Sequence, residues 1–171
     1  MGYRLWIIGL ALVLAGCAKT APQRPSHRKG EEPKVDSTSL ALLELNQQLA
    51  FAADRELAKF AQAQPESYAL YDASTWIHIL ERAENGTEIL YGETCTVHMR
   101  TYDLKGHLLL DSEGMYQLGK LELPLGVEAN IHELRHGDKA RLLTPWYAAY
   151  GQQGTAYVAP YENVIIEIEV K

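Results

Sequence analysis

The first long stretch with a regular pattern of apolar and polar side chains runs from residue 37 to residue 64. Its apolar residues recur every three or four positions, the spacing that places side chains on one face of an α-helix. Hydroxyl side chains at 37–39 can cap the start of a helix, and Pro65 disfavours helical backbone just before it. We therefore expect a long N-terminal helix within residues 37–66. Its apolar stripe comprises Leu42, Leu45, Leu49, Ala53, Leu57 and Phe60.

Two partners suit this stripe. It can pack on the domain that follows it in the same chain, or residues 40–60 can pair with a second copy and form a homodimer. The sequence leaves both arrangements open.

From about residue 67 onward the pattern changes to short stretches in which apolar and polar residues alternate, as in half-buried β-strands. The last stretch is the clearest, because its apolar residues face one way and its charged residues face the other. We expect strands at 76–80, 94–101, 107–112, 140–144 and 164–170. Turn residues separate most of them, which favours an antiparallel sheet.

One short helix is predicted among these strands, at roughly 124–135. Val127, Ile131 and Leu134 fall on one side of a helical wheel, and Gly137 closes the segment. Residues 67–171 are therefore expected to form an α+β domain. In this fold class an antiparallel sheet wraps over one short helix, and the long N-terminal helix precedes both.

The N-terminal segment has the pattern of an export signal. Arg4 precedes an apolar run at 5–15 that is short for a membrane-spanning helix, and the run ends in Leu-Ala-Gly-Cys at Cys17. This ending resembles the lipobox of bacterial lipoproteins, in which the cysteine carries the lipid. An ordinary secretory signal is the alternative. We predict a signal peptide over 1–17 and a flexible, proline-containing tether over 18–36.

This signal predicts a location in the bacterial cell envelope. Lipid on Cys17 would anchor the chain to a membrane, with the domain facing the periplasm. The chain carries 16 Lys and Arg against 22 Asp and Glu, so nucleic acid is a poor partner for it. With Cys17 lipidated, Cys95 is the remaining thiol, and its alternating surroundings predict a small buried hydrophobe and not a nucleophile.

The sequence His-Glu-Leu-Arg-His at 132–136 matches the H-E-x-x-H motif of zinc metalloproteases. In the predicted helix, His132 and His136 lie opposite the buried stripe and point to solvent, whereas a protease needs them in an enclosed cleft. We therefore interpret the motif as the solvent-exposed face of a helix. An adventitious surface metal site is the alternative. The sequence predicts no metal site and no cofactor.

A second pattern covers about residues 70–171. The segments LPLGVEANIHELRHGDKARLLTPWYAAYG and PYENVIIEIEV, with the upstream GETCTVHM and LKGHLLLDS, resemble the FKBP-type peptidyl-prolyl cis–trans isomerases. The Ala-Tyr-Gly and Pro-x-Asn motifs share the family's spacing. The lipobox, tether and long helix also look like those of the gliding-motility-associated lipoprotein isomerases of Bacteroidetes.

The resemblance implies a peptidyl-prolyl isomerase that helps extracytoplasmic, proline-containing proteins to fold. In that family an apolar cavity excludes water and favours the twisted prolyl amide without covalent catalysis. Asp111 and Tyr150 match the Asp and Tyr that hold the substrate. The positions that match the substrate-binding walls and flap are Met99, Leu110, Leu123, Pro124, Val127, Tyr157, Val158 and Ile166.

Several of these positions depart from the family pattern. Met99, Leu110, Val127 and Ile166 are aliphatic where the family has aromatic residues, and Pro124 lacks the backbone N–H that the family uses. These departures favour a second hypothesis, in which the FKBP fold has lost catalysis and serves as a binding or assembly module on the envelope.

Overall fold

The structure is a computed structural model that describes residues 37–171. The predicted signal peptide, the lipidation site at Cys17 and the tether at 18–36 lie outside the described residues. Within the described part, no helix combines the length and apolar character needed to cross a membrane.

The long helix, α1, spans Ser37–Ala63. It ends close to the predicted boundary, two residues before Pro65, as expected from the clash between a proline ring and helical backbone on its N-terminal side. The prediction of a long helix ahead of the sheet is therefore confirmed.

A six-stranded sheet follows, with the order β1-β2-β5-β6-β3-β4 and antiparallel pairing between all neighbours. The strands are β1 (Ala69–Leu70), β2 (Trp76–Glu81), β3 (Thr94–Tyr102), β4 (Leu108–Gln117), β5 (Lys139–Thr144) and β6 (Val164–Val170). Two strands differ from the expectation. β1 is too short to show a periodic pattern, and β4 runs past the predicted end at 112. It does so on the edge of the sheet, where the side chain of Met115 is exposed.

The inner face of the sheet carries the main core. Val97 and Met99 of β3 and Ile166 and Ile168 of β6 alternate inward, as the sequence pattern predicted, and all four are buried. Val127, Ile131 and Leu134 pack against them and are 0–4% exposed, so the predicted buried stripe is confirmed.

The prediction of one continuous helix at 124–135 is wrong. The segment contains a single helical turn, α2 (Leu125–Glu128), and a separate 3-10 helix at Ile131–Glu133. Asn130 interrupts the helix between them. Its amide donates to the carbonyl of Gly126 at 2.7 Å and exchanges bonds with the backbone of Asp72, so side-chain bonding competes with helical backbone bonding.

The outer face of the sheet is covered in part by α1. Leu57 and Ala61 of the helix pack with Leu143 of β5 in a second buried cluster. The side chain of Asp54 accepts a hydrogen bond from the Tyr147 hydroxyl, and that of Glu56 accepts one from the Asn163 amide at 2.7 Å. The C-terminal half of α1 is thereby docked on its own domain. In the N-terminal half, Leu40, Leu42, Leu43 and Leu45 are 50–56% exposed.

Candidate functional site

Five of the predicted substrate-binding side chains lie together on the inner face of the sheet. Met99, Leu123, Val127, Val158 and Ile166 belong to one packed cluster and are only 0–6% exposed. The structure therefore brings these positions together, as the resemblance implies. It also fills the space between them with their own side chains, so they form a core and not an open cavity.

Tyr150 lies at the margin of this cluster. Its half-buried ring packs against the core, and its hydroxyl lies 2.9 Å from the hydroxyl of Thr101, which is 1% exposed. Burial raises the pKa of Tyr150, and the phenol stays neutral at physiological pH. If the Thr101 hydroxyl donates to Tyr150, the Tyr150 proton is free to reach a bound carbonyl.

Further half-buried side chains lie at the edge of the same core or next to Thr101 in the sheet. Leu110 lies opposite Thr101 across the strand pair, and next to this position the strand register is irregular and Leu109 packs against the core. Tyr116 also packs against the core from β4. We call Leu109, Leu110, Tyr116 and Tyr150 the tyrosine rim.

Tyr116 was not identified from the sequence. Its ring lies over Gly114, where an added Cβ would come within 3.0 Å of the Tyr116 hydroxyl. The alternation of Ser112, Gly114 and Tyr116 could have placed Tyr116 on the inner face, but the predicted strand ended at 112.

Asp111 lies on the opposite face of the sheet. It pairs with Arg100 in the strand register, and its carboxylate is 2.7 Å from Nε2 of His98 on the outer face. Because successive residues of a strand alternate between faces, Leu110 and Asp111 point to opposite sides. The structure therefore does not bring Asp111 and Tyr150 together. A substrate-holding role for Asp111 stays a prediction of the resemblance.

The two remaining predicted positions lie in connecting segments. The carbonyl of Pro124 accepts the backbone N–H groups of Val127 and Glu128 at 2.9 Å, so this proline is the N-cap of α2. Tyr157 is 67% exposed, in a loop where the Thr155 hydroxyl accepts N–H bonds from Tyr157 and Val158. The loop thus inserts Val158 into the core and leaves Tyr157 in solvent.

The histidines of the His-Glu-Leu-Arg-His segment have different surroundings. His132 belongs to the 3-10 helix and is exposed, with its ring 3.4 Å from Glu133. His136 lies beyond that helix and is half-buried, with its Nε2 3.0 Å from Glu93. The expectation that both point to solvent is therefore wrong for His136, because the broken helix turns it toward the start of β3.

Glu93, Cys95 and His136 form a compact group of side chains that can ligate metal ions. One ligand atom from each lies within 4.8 Å of the other two. The sequence did not reveal the group, because His136 and Glu93 are 43 positions apart. Cys95 is 1% exposed, as the sequence predicted.

A separate open groove of about 430 Å³ lies beside α2. None of the predicted wall residues lines it. Its lining is mainly apolar and includes Ile89, Leu90, Tyr91, Leu118, Leu121 and Ile131.

Comparison with solved structures identifies the fold. The chain is similar to a peptidyl-prolyl cis–trans isomerase from Pseudomonas syringae pathovar tomato, with a TM-score of 0.61 and 19% identity, over 72% of this chain and 92% of that one. It is also similar to a multi-domain immunophilin from Arabidopsis thaliana, with a TM-score of 0.56 and 22% identity. That match covers 62% of this chain and 45% of the immunophilin.

At the level of sequence, no protein-family model and no curated protein matches the chain. The similarity to these structures therefore concerns the fold. The domain has the α+β architecture of FKBP-type isomerases, and the fold prediction is confirmed.

Proposed function

We propose that this chain is a peptidyl-prolyl cis–trans isomerase that assists the folding of extracytoplasmic proteins. The observation that carries the proposal is the position of Tyr150, whose hydroxyl lies at the margin of the apolar core of an FKBP-like fold. Lipid on Cys17 would hold the domain at the periplasmic side of a membrane of the cell envelope. Its clients would be proteins with proline-containing segments.

The chemistry requires no cofactor and no nucleophile. Rotation about a prolyl bond has a barrier of about 18–20 kcal/mol, because twisting the amide breaks its resonance. The twisted amide is less polar than the planar one, so apolar surroundings that exclude water favour it. The tyrosine rim contributes half-buried apolar side chains to such surroundings, and the Tyr150 hydroxyl supplies a donor for a carbonyl next to the proline.

The packed core determines where a proline can bind. Since Val127, Val158 and Ile166 are 0–1% exposed, a proline ring cannot reach them without opening the core. We therefore place the substrate on the tyrosine rim, with the predicted wall residues acting as the rigid apolar floor beneath it.

Exchange NMR on a short Xaa-Pro peptide tests the proposal. The wild-type chain is expected to accelerate cis–trans exchange. Tyr150→Phe is expected to reduce the acceleration roughly 2- to 10-fold, because a hydrogen bond is worth about 0.5–1.5 kcal/mol. An acceleration that is unchanged in Tyr150→Phe would contradict the proposed site.

Asp111→Asn tests the second residue that the resemblance implies. Its matched control is Glu113→Gln, since Glu113 is also an exposed carboxylate of β4 and bonds Lys171. If Asp111 holds the substrate, exchange falls in Asp111→Asn and not in Glu113→Gln. Equal exchange in both variants would remove Asp111 from the site.

The second candidate function is a non-catalytic binding or assembly module with the same fold. Two observations favour it: the packed walls, and the proline at position 124, which has no N–H to offer a ligand. The groove beside α2 provides an apolar surface for such binding. A peptide that binds the chain without any acceleration of its exchange would support this second function.

A further inference from the structure

Three side chains of ligand type converge where β3 begins. Glu93 and Cys95 are two positions apart in the chain, and His136 reaches them from the turn ahead of β5. We infer that Glu93, Cys95 and His136 form a binding site for one Zn²⁺ ion. The inference does not rest on the proposed isomerase function, although Tyr116 of the tyrosine rim lies opposite Cys95 in the strand register. Cys95 lies six residues before Thr101 in β3. At about 3.3 Å per residue, the backbone of Cys95 is therefore roughly 20 Å from that of Thr101, which pairs with Tyr150.

The hydrogen bonds of His136 favour a metal ion on its second nitrogen. Nδ1 lies 3.2 Å from the backbone oxygen of Lys171, which can only accept, so this contact suits the tautomer with its proton on Nδ1. In the neutral ring Nε2 then has a lone pair, and it faces the carboxylate of Glu93 at 3.0 Å. Nε2 and Oε1 of Glu93 therefore point into the same space, where one metal ion can contact both. A ring N–H bonded to a carbonyl is also the usual support of a metal-bound histidine.

Hydrogen bonds also hold the Glu93 carboxylate and the turn that carries His136. Oε2 of Glu93 accepts the backbone N–H of Leu90 at 2.9 Å, which leaves Oε1 directed at His136. The backbone N–H of His136 donates to the carbonyl of Thr87 at 3.0 Å, and Gly137 donates to the carbonyl of Val170 at 2.6 Å. The ligand atoms are therefore positioned before any ion binds, which lowers the cost of binding.

The donor set suits zinc. Zn²⁺ binds thiolate, imidazole and carboxylate ligands with bonds of about 2.0–2.3 Å, so tetrahedral ligand atoms lie roughly 3.2–3.7 Å apart. The three atoms here lie within 4.8 Å of one another, so small side-chain rotations bring them to these distances. Calcium and magnesium prefer oxygen ligands and are poor matches for a site with a cysteine.

The site is accessible from one side. The side chains of Glu93 and His136 are 34% and 24% exposed, whereas Cys95 is buried beneath them. A zinc ion can therefore enter from solvent, release the thiol proton of Cys95 to water and keep a water molecule as its fourth ligand.

Titration of the full chain, purified in detergent without a polyhistidine tag, tests the site. Zn²⁺ should bind with a stoichiometry of one and a dissociation constant below about 1 µM. Co²⁺ should give a tetrahedral spectrum with a thiolate-to-metal charge-transfer band. Zn²⁺ should also raise the melting temperature, because it binds the folded state.

Variants decide which residues bind the ion. Cys95→Ala, Glu93→Gln and His136→Gln should each weaken Zn²⁺ binding roughly 100-fold or more, since even supporting residues of metal sites are worth about 10- to 100-fold. The Co²⁺ charge-transfer band should disappear in Cys95→Ala. His132→Gln is the matched control, because His132 is the exposed histidine of the same segment, and it should bind Zn²⁺ as the wild type does.

Three results would overturn the inference. One is no binding at 100 µM Zn²⁺, a concentration about 100-fold above the expected dissociation constant. Another is undiminished binding in Cys95→Ala. The third is a loss of binding in His132→Gln, which would assign the ion to the surface. If Cys95→Ala fails to fold, His136→Gln tests the site instead, because His136 is partly exposed. Undiminished Zn²⁺ binding in His136→Gln, with circular dichroism as the folding check, would then overturn the inference.

Discussion

Two tyrosines three positions apart show how single residues acquire different roles in this fold. Tyr147 and Tyr150 flank the end of a 3-10 helix at Trp146–Ala148. The Tyr147 hydroxyl bonds Asp54 of α1 on the outer face of the sheet, whereas the Tyr150 hydroxyl pairs with Thr101 at the inner core. The Ala-Tyr-Gly motif identified Tyr150 from the sequence. No local pattern identifies Tyr147, because its partner lies 93 positions away.

Tyr147 gives a prediction about pH. Burial, together with the bond to Asp54, raises the pKa of Tyr147 to about 12 from an ordinary value of 10.0. The folded state therefore favours the neutral phenol. Its contribution to stability is complete below pH 10 and is lost as pH rises from 10 to about 12. A titration of phenolate absorbance should show a step near pH 12 that is absent from Tyr147→Phe. The step should persist in Tyr157→Phe, and its presence in Tyr147→Phe would contradict the assignment.

At the scale of elements, α1 combines a docked half with an exposed half. Leu57 is 0% exposed and packs on the outer face of the sheet, whereas Leu43 of the same helix is 56% exposed. The sequence predicted the helix correctly, because a period of three to four residues is a local property. It could not show which part of the stripe is covered, since that depends on the strands beneath.

A pair of substitutions in α1 measures this difference. Leu57→Ala should lower the free energy of unfolding by about 2–5 kcal/mol, the usual cost of removing a fully buried leucine side chain. Leu43→Ala should change it by less than about 0.5 kcal/mol, since an exposed substitution leaves no cavity. Urea denaturation followed by circular dichroism gives both values. Equal effects of the two substitutions would contradict the docking of α1 through its C-terminal half.

The elements of the domain differ in how well their own sequence predicts them. The alternation in β6 predicted its buried and exposed faces correctly, because both faces have constant surroundings along the strand. The predicted length of the helix at 124–135 was too great. The hydrogen bonds of Asn130 to Asp72 interrupt the helix despite the helical spacing of the apolar residues. Helix-like spacing of buried residues thus survives in a segment whose backbone is only partly helical.

At the scale of the whole molecule, the exposed half of α1 is an apolar surface, within the described residues, that suits self-association. Leu40, Leu42, Leu43 and Leu45 are 50–56% exposed, and Phe51, just past the middle of the helix, is 65% exposed. Apolar side chains clustered on one element are often covered by a partner. We retain the proposal of a homodimer through residues 40–60.

Sedimentation equilibrium on residues 18–171 checks this proposal. A dimeric mass is expected for the wild type. Leu42→Glu combined with Leu45→Glu should give a monomer, because the charges would be buried at the interface without partners. Leu57→Ala, which affects the contact of α1 with its own domain, is expected to leave the dimer intact. A monomeric wild type would contradict the proposal.

The sequence by itself determined the fold class, the long helix, most strands and the burial of Cys95, Val127 and Ile166. These features follow from periodicity and from short motifs. Both are local, because they depend only on residues that are close together in the sequence. Only the tertiary structure decided that the predicted walls are packed, that Asp111 lies on the outer face, and that Glu93, Cys95 and His136 meet. Each of these depends on strand register or on contacts between remote segments, and a shift of one residue in register reverses the face of a side chain.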